Sequence, residues 1–174
     1  MNGKVTVRLA TIADVKLLNN FARLSFYEMW KDYNTDEDLD KYMNEFFTEE
    51  VLITEINDPN IDYFIALYDN EIAGYCKLKR NYKEGNLPDV PCIELQRMYT
   101  TLKTIRKGIG SSLMNHCLAI SKHEGFIVMW LGVFEKNFRA IAFYSRFGFT
   151  TYGSHDFVLG NDVTTDLLMM KTIQ

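Results

Sequence analysis

Apolar positions recur with two different periods along the 174-residue chain, and the changes of period mark out its elements. Val5, Val7 and Leu9 alternate with Thr6 and Arg8, so Lys4 to Leu9 reads as a strand. Thr11-Ile-Ala-Asp14 then has the form of a capping box, and Val15, Leu18, Ala22 and Phe26 follow at helical steps. Asp32-Tyr33-Asn34 predicts a loop and Thr35 a second cap, with Asp36, Glu37 and Asp38 placed to complement a helix dipole. Leu39, Tyr42, Met43 and Phe46 are the stripe of that helix. A short helix over Thr48 to Ile56 ends before Asp58-Pro59. Tyr63 to Tyr68 and Ile72 to Lys79, joined at Asp69-Asn70, predict a β-hairpin.

The period changes again in the second half. Tyr82 to Pro91 holds two prolines and reads as a loop, followed by a strand from Ile93 to Tyr99. After a glycine turn, Ile109, Leu113, Cys117 and Ile120 line a helix that Gly125 ends. Ile127 to Val133 is almost continuously apolar, as a strand covered on both faces should be. Ala140 to Phe147 reads as a helix closed by Gly148. Thr150 to Leu159 and Thr165 to Thr172 are extended, joined by Gly160-Asn161-Asp162. The predicted order is β-α-α-(α)-β-β-β-α-β-α-β-β: a mixed α/β chain around one sheet, expected to be a single domain over residues 1–174.

Composition narrows the classes. Hydrophobic residues make up 47% and aromatics 14%, which argues against long disorder. The net charge of −4 argues against a general nucleic-acid surface and suits a cationic partner. No apolar run approaches the roughly 18 residues of a membrane span, and the N-terminus carries no signal-peptide pattern. Cys76, Cys92 and Cys117 are odd in number and lack C-x-x-C spacing, so free thiols in the cytoplasm are expected. His116 and His123, seven apart on one helix, make no metal site with Cys117, and no metal is expected.

Ile105-Arg106-Lys107-Gly108-Ile109-Gly110 is the stretch with most chemical content. It joins a strand to a helix whose first N–H groups and positive dipole end form an anion site. Glycine there lets a ligand approach the backbone closely. The same sequence is also an ordinary helix entry, and it lacks the G-x-x-x-x-G-K-[ST] form of a Walker A loop.

Together with the block Asn137-Phe-Arg-Ala140-Ile-Ala-Phe143-Tyr144-Ser-Arg146-Phe-Gly-Phe149 and the element order, this turn resembles the GNAT family of acyl-CoA-dependent N-acetyltransferases over essentially the whole chain. Trp130-Leu-Gly-Val133, the ending Gly153-Ser-His-Asp-Phe157 to Asp166-Leu-Leu-Met169, and the stretch from Phe26-Tyr27 to Asp38 resemble its PaiA-type polyamine N-acetyltransferases. The resemblance implies the GNAT fold, an α+β arrangement with a mixed, mostly antiparallel sheet of about seven strands and helices on both faces. It implies acetyl-CoA as co-substrate, its pyrophosphate on the turn from Ile105 to Ser111. The family usually has Gln or Arg where Ile105 stands, so binding should rest on backbone N–H groups from Arg106 through Lys107, Gly108, Ile109, Gly110 and Ser111. The side chains of Arg106 and Lys107 either neutralise phosphate or are simply solvated.

Further roles follow from the same resemblance. Met98, Tyr99 and Thr100 would pair with the pantetheine, and an N–H near Tyr99 would polarise the thioester carbonyl. Asn137 would cap its helix and reach the pantetheine, with Ala140, Phe143 and Arg146 beside the cofactor. Glu94, 11 residues before the turn's first position, would be general base, directly or through water, unless it is an ion-paired strand residue. Tyr144 would be the acid that protonates the CoA thiolate, unless it is a core aromatic. The acids from Asp32 to Asp40 either attract a polycation or cap a helix. Tyr27, Trp30, Tyr33 and Tyr82 either line the amine site or pack, and His155 has no assigned role.

The expected activity is direct transfer from acetyl-CoA to a primary amine of spermidine, spermine or a similar polyamine. A protein N-terminus, a lysine or another small amine is the alternative acceptor, and a non-catalytic acyl-CoA sensor the alternative class. A homodimer through the terminal strands is compatible with the sequence.

Overall fold

The computed structural model describes residues 4–104, 106–160 and 162–173, except for the Leu102 side chain. Ile105 and Asn161, both named above in turns, lie outside the described residues. The elements are β1 (Val5–Leu9), a 3-10 turn (Ile12–Asp14), α1 (Val15–Trp30), α2 (Asp36–Phe46), α3 (Glu49–Ile56), β2 (Ile61–Tyr68) and β3 (Glu71–Arg80). They continue as β4 (Cys92–Thr100), α4 (Ile109–His123), β5 (Val128–Phe134), α5 (Phe138–Arg146), β6 (Thr150–Leu159) and β7 (Asp162–Thr172). The order matches the sequence expectation. Differences fall at the ends: α5 begins two residues earlier than its pattern suggested, and β7 begins at Asp162, not Thr165.

Local chemistry fixes the ends. Thr35 and Thr48 accept hydrogen bonds from the N–H groups of Asp38 and Val51, both at 3.2 Å, each cap being worth about 1 kcal/mol. Thr11 and Asp14 form the expected capping box, but it opens the 3-10 turn ahead of α1. Arg8 grips Asp14 through both guanidinium nitrogens at 2.8 and 2.7 Å, which holds that carboxyl well below its usual range.

The sheet has seven strands in the order β1-β2-β3-β4-β5-β7-β6. Every neighbouring pair is antiparallel except β4 and β5, which α4 connects in parallel. Helices cover both faces, hence the runs buried on both sides in β2 and β3. On one face, the back, Cys76, Leu78, Ile93, Leu95 and Leu131 pack under Leu113 and Cys117 of α4 and Tyr144 of α5. On the front, Tyr63, Ile65 and Tyr75 pack under Leu18, Phe26 and Trp30 of α1 and Leu39 of α2.

Two irregularities matter for the site. β4 and β5 pair only from Cys92–Val128 to Glu94–Trp130; beyond that, β4 stays with β3 and β5 with β7. One edge of β4 from Leu95 onward is therefore left without a strand partner. The second is a bulge in the β3–β4 ladder between Lys77 and Leu78. Lys77 faces Arg97 and Lys79 faces Glu94, so Glu94 and Arg97, three residues apart, share the front face. Strict alternation would have put them on opposite faces.

Candidate active site

The glycine turn, the free edge of β4 and α5 converge. Gly108 caps α4 with a φ of 81°, a left-handed conformation that disfavours other residues. The first helical bond runs from Ser112 N–H to Gly108 O, so the N–H groups of Ile109, Gly110 and Ser111 remain at the positive end of α4. The Lys107 N–H instead turns back to Thr104 O at 3.1 Å, which corrects the expectation that every amide from Arg106 onward is available to a ligand. The Arg106 and Lys107 side chains are exposed. A Cβ on Gly110 would sit 3.5 Å from the Phe143 ring and 3.9 Å from Thr100 Cγ2, which places the start of α4 beside the end of β4 and the inner face of α5. Met98, Tyr99 and Thr100 pair with Cys76, Tyr75 and Gly74 on one side only.

α5 supplies the remaining residues from its own helical spacing. Asn137 accepts from Ala140 N–H at 3.1 Å and donates to Met29 Sδ at 3.6 Å, tying the helix start to α1. Arg146 is exposed in the last turn, where its charge complements the dipole. The Tyr144 ring lies between Phe143 and Phe149, with centroids at 5.5 and 5.9 Å. It is buried with Ile93 and Leu95, on the face of β4 opposite to Glu94. Burial raises its phenol pKa, and Tyr99, Cys76 and Cys117 add to the rise. The two cysteines touch at 3.2 Å between sulfurs and are free thiols.

The front face carries Glu94 and Asp166. Glu94 is 7% exposed, and Gln96 Nε2 reaches it at 3.5 Å. Burial pushes its carboxyl up to about 7, against the pull of Lys79 and Lys77 and with Glu84 adding to the rise. Asp166 is likewise pushed up by burial, to about 6, and its Oδ1 is buried without a hydrogen-bond partner. Gly132, exposed in the middle of β5, forms the floor: a Cβ there would meet Asp166 Oδ2 at 3.5 Å and His155 Nε2 at 3.6 Å. His155 and Asp166 are direct partners across β6 and β7.

The loop between β3 and β4 lies across this face as a strap. Trp130 Nε1 donates to Tyr82 O at 3.3 Å, Tyr152 hydroxyl donates to Glu84 O at 3.1 Å, and His155 Nδ1 hydrogen-bonds the Glu84 carboxylate. Leu87 and Val90 pack with Trp130 and Leu168. Glu84 was not singled out in the sequence, since nothing local distinguishes a loop glutamate, and Asp166 was named only within the PaiA-like ending, without a role.

Arg97 was also missed. Its guanidinium stacks on the Phe47 ring at 4.2 Å; burial works against its charge, while Tyr75, Tyr63 and Glu55 raise its pKa. Nearby, Lys77 is buried against Glu55 at 2.5 Å, and burial lowers its pKa to about 8.

The aromatic candidates divide. Trp30 is core, with Phe134 and Phe157 at centroid distances of 5.1 and 5.4 Å, and Tyr33 packs edge-on against Phe134 at 5.0 Å. Tyr82 covers Trp130 at 5.7 Å, under the Lys79 ammonium at 4.3 Å. Tyr27 donates to Asp36 at 2.9 Å on the outside. Among the Asp32–Asp40 acids, Asp36 takes that bond and Asp38 accepts from the Thr35 hydroxyl at 2.9 Å, so both serve the α2 entry. His116 lies edge-on to Phe64 at 4.7 Å. Among the described residues, no group of three or more His, Cys, Asp or Glu side chains is arranged to hold a metal, and no helix is long and apolar enough to cross a membrane.

Residues 23–149 match the acetyltransferase (GNAT) family, and the chain belongs to it. An uncharacterized N-acetyltransferase from the pepI 3′ region of Lactobacillus delbrueckii subsp. lactis is 31% identical over 152 residues, 87% of this chain and 88% of the relative. The spermidine N(1)-acetyltransferase of Thermoplasma acidophilum is 26% identical over 162 residues, covering 89% and 95%. The crystal structure of the PaiA N-acetyltransferase of Thermoplasma acidophilum, in complex with coenzyme A, superposes with a TM-score of 0.79 at 24% identity, covering 97% and 99% of the two chains. The ribosomal-protein-S18-alanine N-acetyltransferase of Escherichia coli shares the fold at a TM-score of 0.72 and 14% identity, covering 98% and 95%. The shared fold therefore leaves the acceptor open.

Proposed function

We propose that this acyl-CoA-dependent N-acetyltransferase moves the acetyl group of acetyl-CoA directly to a primary amine of a polyamine such as spermidine or spermine. The observation that carries the reading is Glu94: a buried carboxylate poised near neutral pH, on the front face of the strand whose other edge is free. The donor half rests on the gap between β4 and β5 with the α4 N-terminus beside it. Free peptide groups of Met98 to Thr100 suit the pantetheine amides, and the N–H groups of Ile109 to Ser111 suit a pyrophosphate.

An alkylammonium has a pKa near 10.4, so its nucleophilic form lies roughly 4–5 kcal/mol uphill at pH 7. Glu94, half ionised near that pH, takes the ammonium proton. The amine attacks the thioester carbonyl, and a β4 N–H near Tyr99 stabilises the developing oxyanion. As the C–S bond breaks, Tyr144 on the opposite face gives its phenol proton to the departing thiolate, and the second N–H proton, lost by the attacking nitrogen, restores the phenol. Burial keeps that phenol protonated until it is needed.

The polyamine half draws on the carboxylates of Glu84, Glu94 and Asp166 around the Gly132 floor, and on the likeness to a spermidine N(1)-acetyltransferase. Steady-state acetyl-CoA consumption with spermidine and spermine, run beside N-terminal peptides and aminoglycosides, tests it. No turnover of any polyamine at millimolar concentration would reject the acceptor. Arg97 favours a second reading, in which the acceptor carries an anionic or carbonyl group as a peptide does; preferential turnover of peptides in the same panel would select it.

A further inference from the structure

His155 occupies a position that the chemistry so far does not use. Its Nδ1 is hydrogen-bonded to Glu84 on the strap, and its Nε2 lies 3.9 Å from Asp166 Oδ2 on the neighbouring strand. The imidazole and the Asp166 carboxylate both border the space above Gly132. The exposures are graded: Glu94 is 7% exposed, whereas the side chains of His155 and Glu84 are 30% and 27% exposed. Glu84 and His155 both act electrostatically on Glu94, which pairs with Trp130, two residues from Gly132 on the same face of β5. Titratable groups thus extend from a buried carboxylate to partly exposed ones.

The reaction needs a way out for a proton. A bound alkylammonium has three N–H protons and the amide product has one. One of the two protons lost ends on the CoA sulfur, and the other must leave the site. A buried Glu94 that keeps it cannot act again.

We infer that His155, clasped between Glu84 and Asp166, is a positioning residue that carries away the proton Glu94 takes from the acceptor. Glu94 O–H gives the proton across the water-accessible opening to His155 Nε2. The imidazolium, its Nδ1–H still held by Glu84, gives the Nε2 proton to solvent and returns to its starting neutral tautomer. No bond other than O–H and N–H changes, and no oxidant is required. The charged groups facing Glu94 are Lys77 and Lys79 from β3, Glu84 from the strap and His155 from β6; Asp166 from β7 faces His155. The inference rests on Glu94 as base, not on the identity of the amine.

The test uses whichever amine the wild-type protein acetylates, across the neutral range. His155→Gln keeps an amide for Glu84 but cannot relay a proton, and His155→Ala leaves room for free imidazole. Both are expected to lower kcat about 10-fold or more, with KM for acetyl-CoA within about twofold. Millimolar imidazole should restore His155→Ala in proportion to the neutral base present, and should leave Glu94→Gln unrestored. Melting temperatures near wild type separate this from a loosened strap. Wild-type turnover by His155→Gln throughout the pH range overturns the inference, as does a His155→Ala loss that imidazole does not recover. Wild-type turnover by Glu94→Gln removes the base and the relay together. A wild-type protein that acetylates only non-polyamine amines rejects the polyamine reading while leaving the relay open to this same measurement.

Discussion

The two ends of the proposed site are built in different ways. The donor end is made of backbone: the N–H groups at the start of α4, an unpaired edge of β4, and a capped α5. Each part comes from one short stretch of chain. The acceptor end is made of side chains brought from β4, the strap, β6 and β7, whose arrangement depends on strand register, a bulge and loop packing. A backbone cradle tolerates exchange of its side chains, because its donors belong to every residue type except proline. A chamber of side chains does not, since one exchange changes its charge.

That contrast can be broken most sharply at Glu94. Glu94→Gln should lower kcat by about 10²–10⁴-fold. In the wild type, kcat/KM should fall as pH drops below about 7, because the base is lost on protonation. A flat wild-type profile from acid to neutral pH would remove Glu94 from the chemistry.

The same substitution should stabilise the fold. The native state holds the Glu94 proton up to about pH 7, whereas an ordinary glutamate releases it near 4.5. Wild-type stability therefore declines as pH rises through that window, and Glu94→Gln escapes the decline. The gain should reach on the order of 3 kcal/mol above neutrality and vanish below the ordinary value. Urea unfolding of both proteins in acid and in mild alkali measures it, and equal stabilities in alkali would mean that the carboxylate is not strained by burial.

Tyr144→Phe should lower kcat by about 10²-fold with the fold intact, since the ring packing is retained. Unchanged turnover would leave Tyr144 as a core aromatic. The smallest effect belongs to the backbone cradle. Gly110→Val places methyl groups between Phe143 and Thr100, and should raise KM for acetyl-CoA about 10-fold with little change in kcat. Isothermal titration with CoA checks the same effect without any amine, and unaltered affinity would move the donor elsewhere.

The same division explains what could be read from the chain. Strands and helices were legible because alternation at Val5 to Leu9 and helical steps from Val15 to Phe26 are local signals. The caps at Thr35 and Asn137 were equally local. Glu94 and Tyr144 were legible only through family resemblance, since a strand glutamate and a helix tyrosine carry no chemistry in isolation. Glu84 and Arg97 were illegible, and Asp166 was visible only within a PaiA-like ending, without a role. Arg97 joins the front face through the bulge opposite Lys77 and Leu78, and Glu84 arrives by way of contacts to Trp130, Tyr152 and His155. The acids around Asp36 drew attention by number, yet Asp36 and Asp38 are engaged by Tyr27 and Thr35 outside the chamber.

The early parting of β4 from β5 has a thermodynamic side. Only the segment from Cys92 to Glu94 joins the two halves of the sheet directly, so the free protein has its weakest ladder at its centre. A molecule that fills the slot stabilises the fold logarithmically with its free concentration, by about 2.7 kcal/mol at 100 times its dissociation constant. Amide hydrogens on the open edge of β4 should exchange quickly in the free protein and slow when the donor is present. The cellular level of the acyl donor would then set the lifetime of the protein as well as its rate.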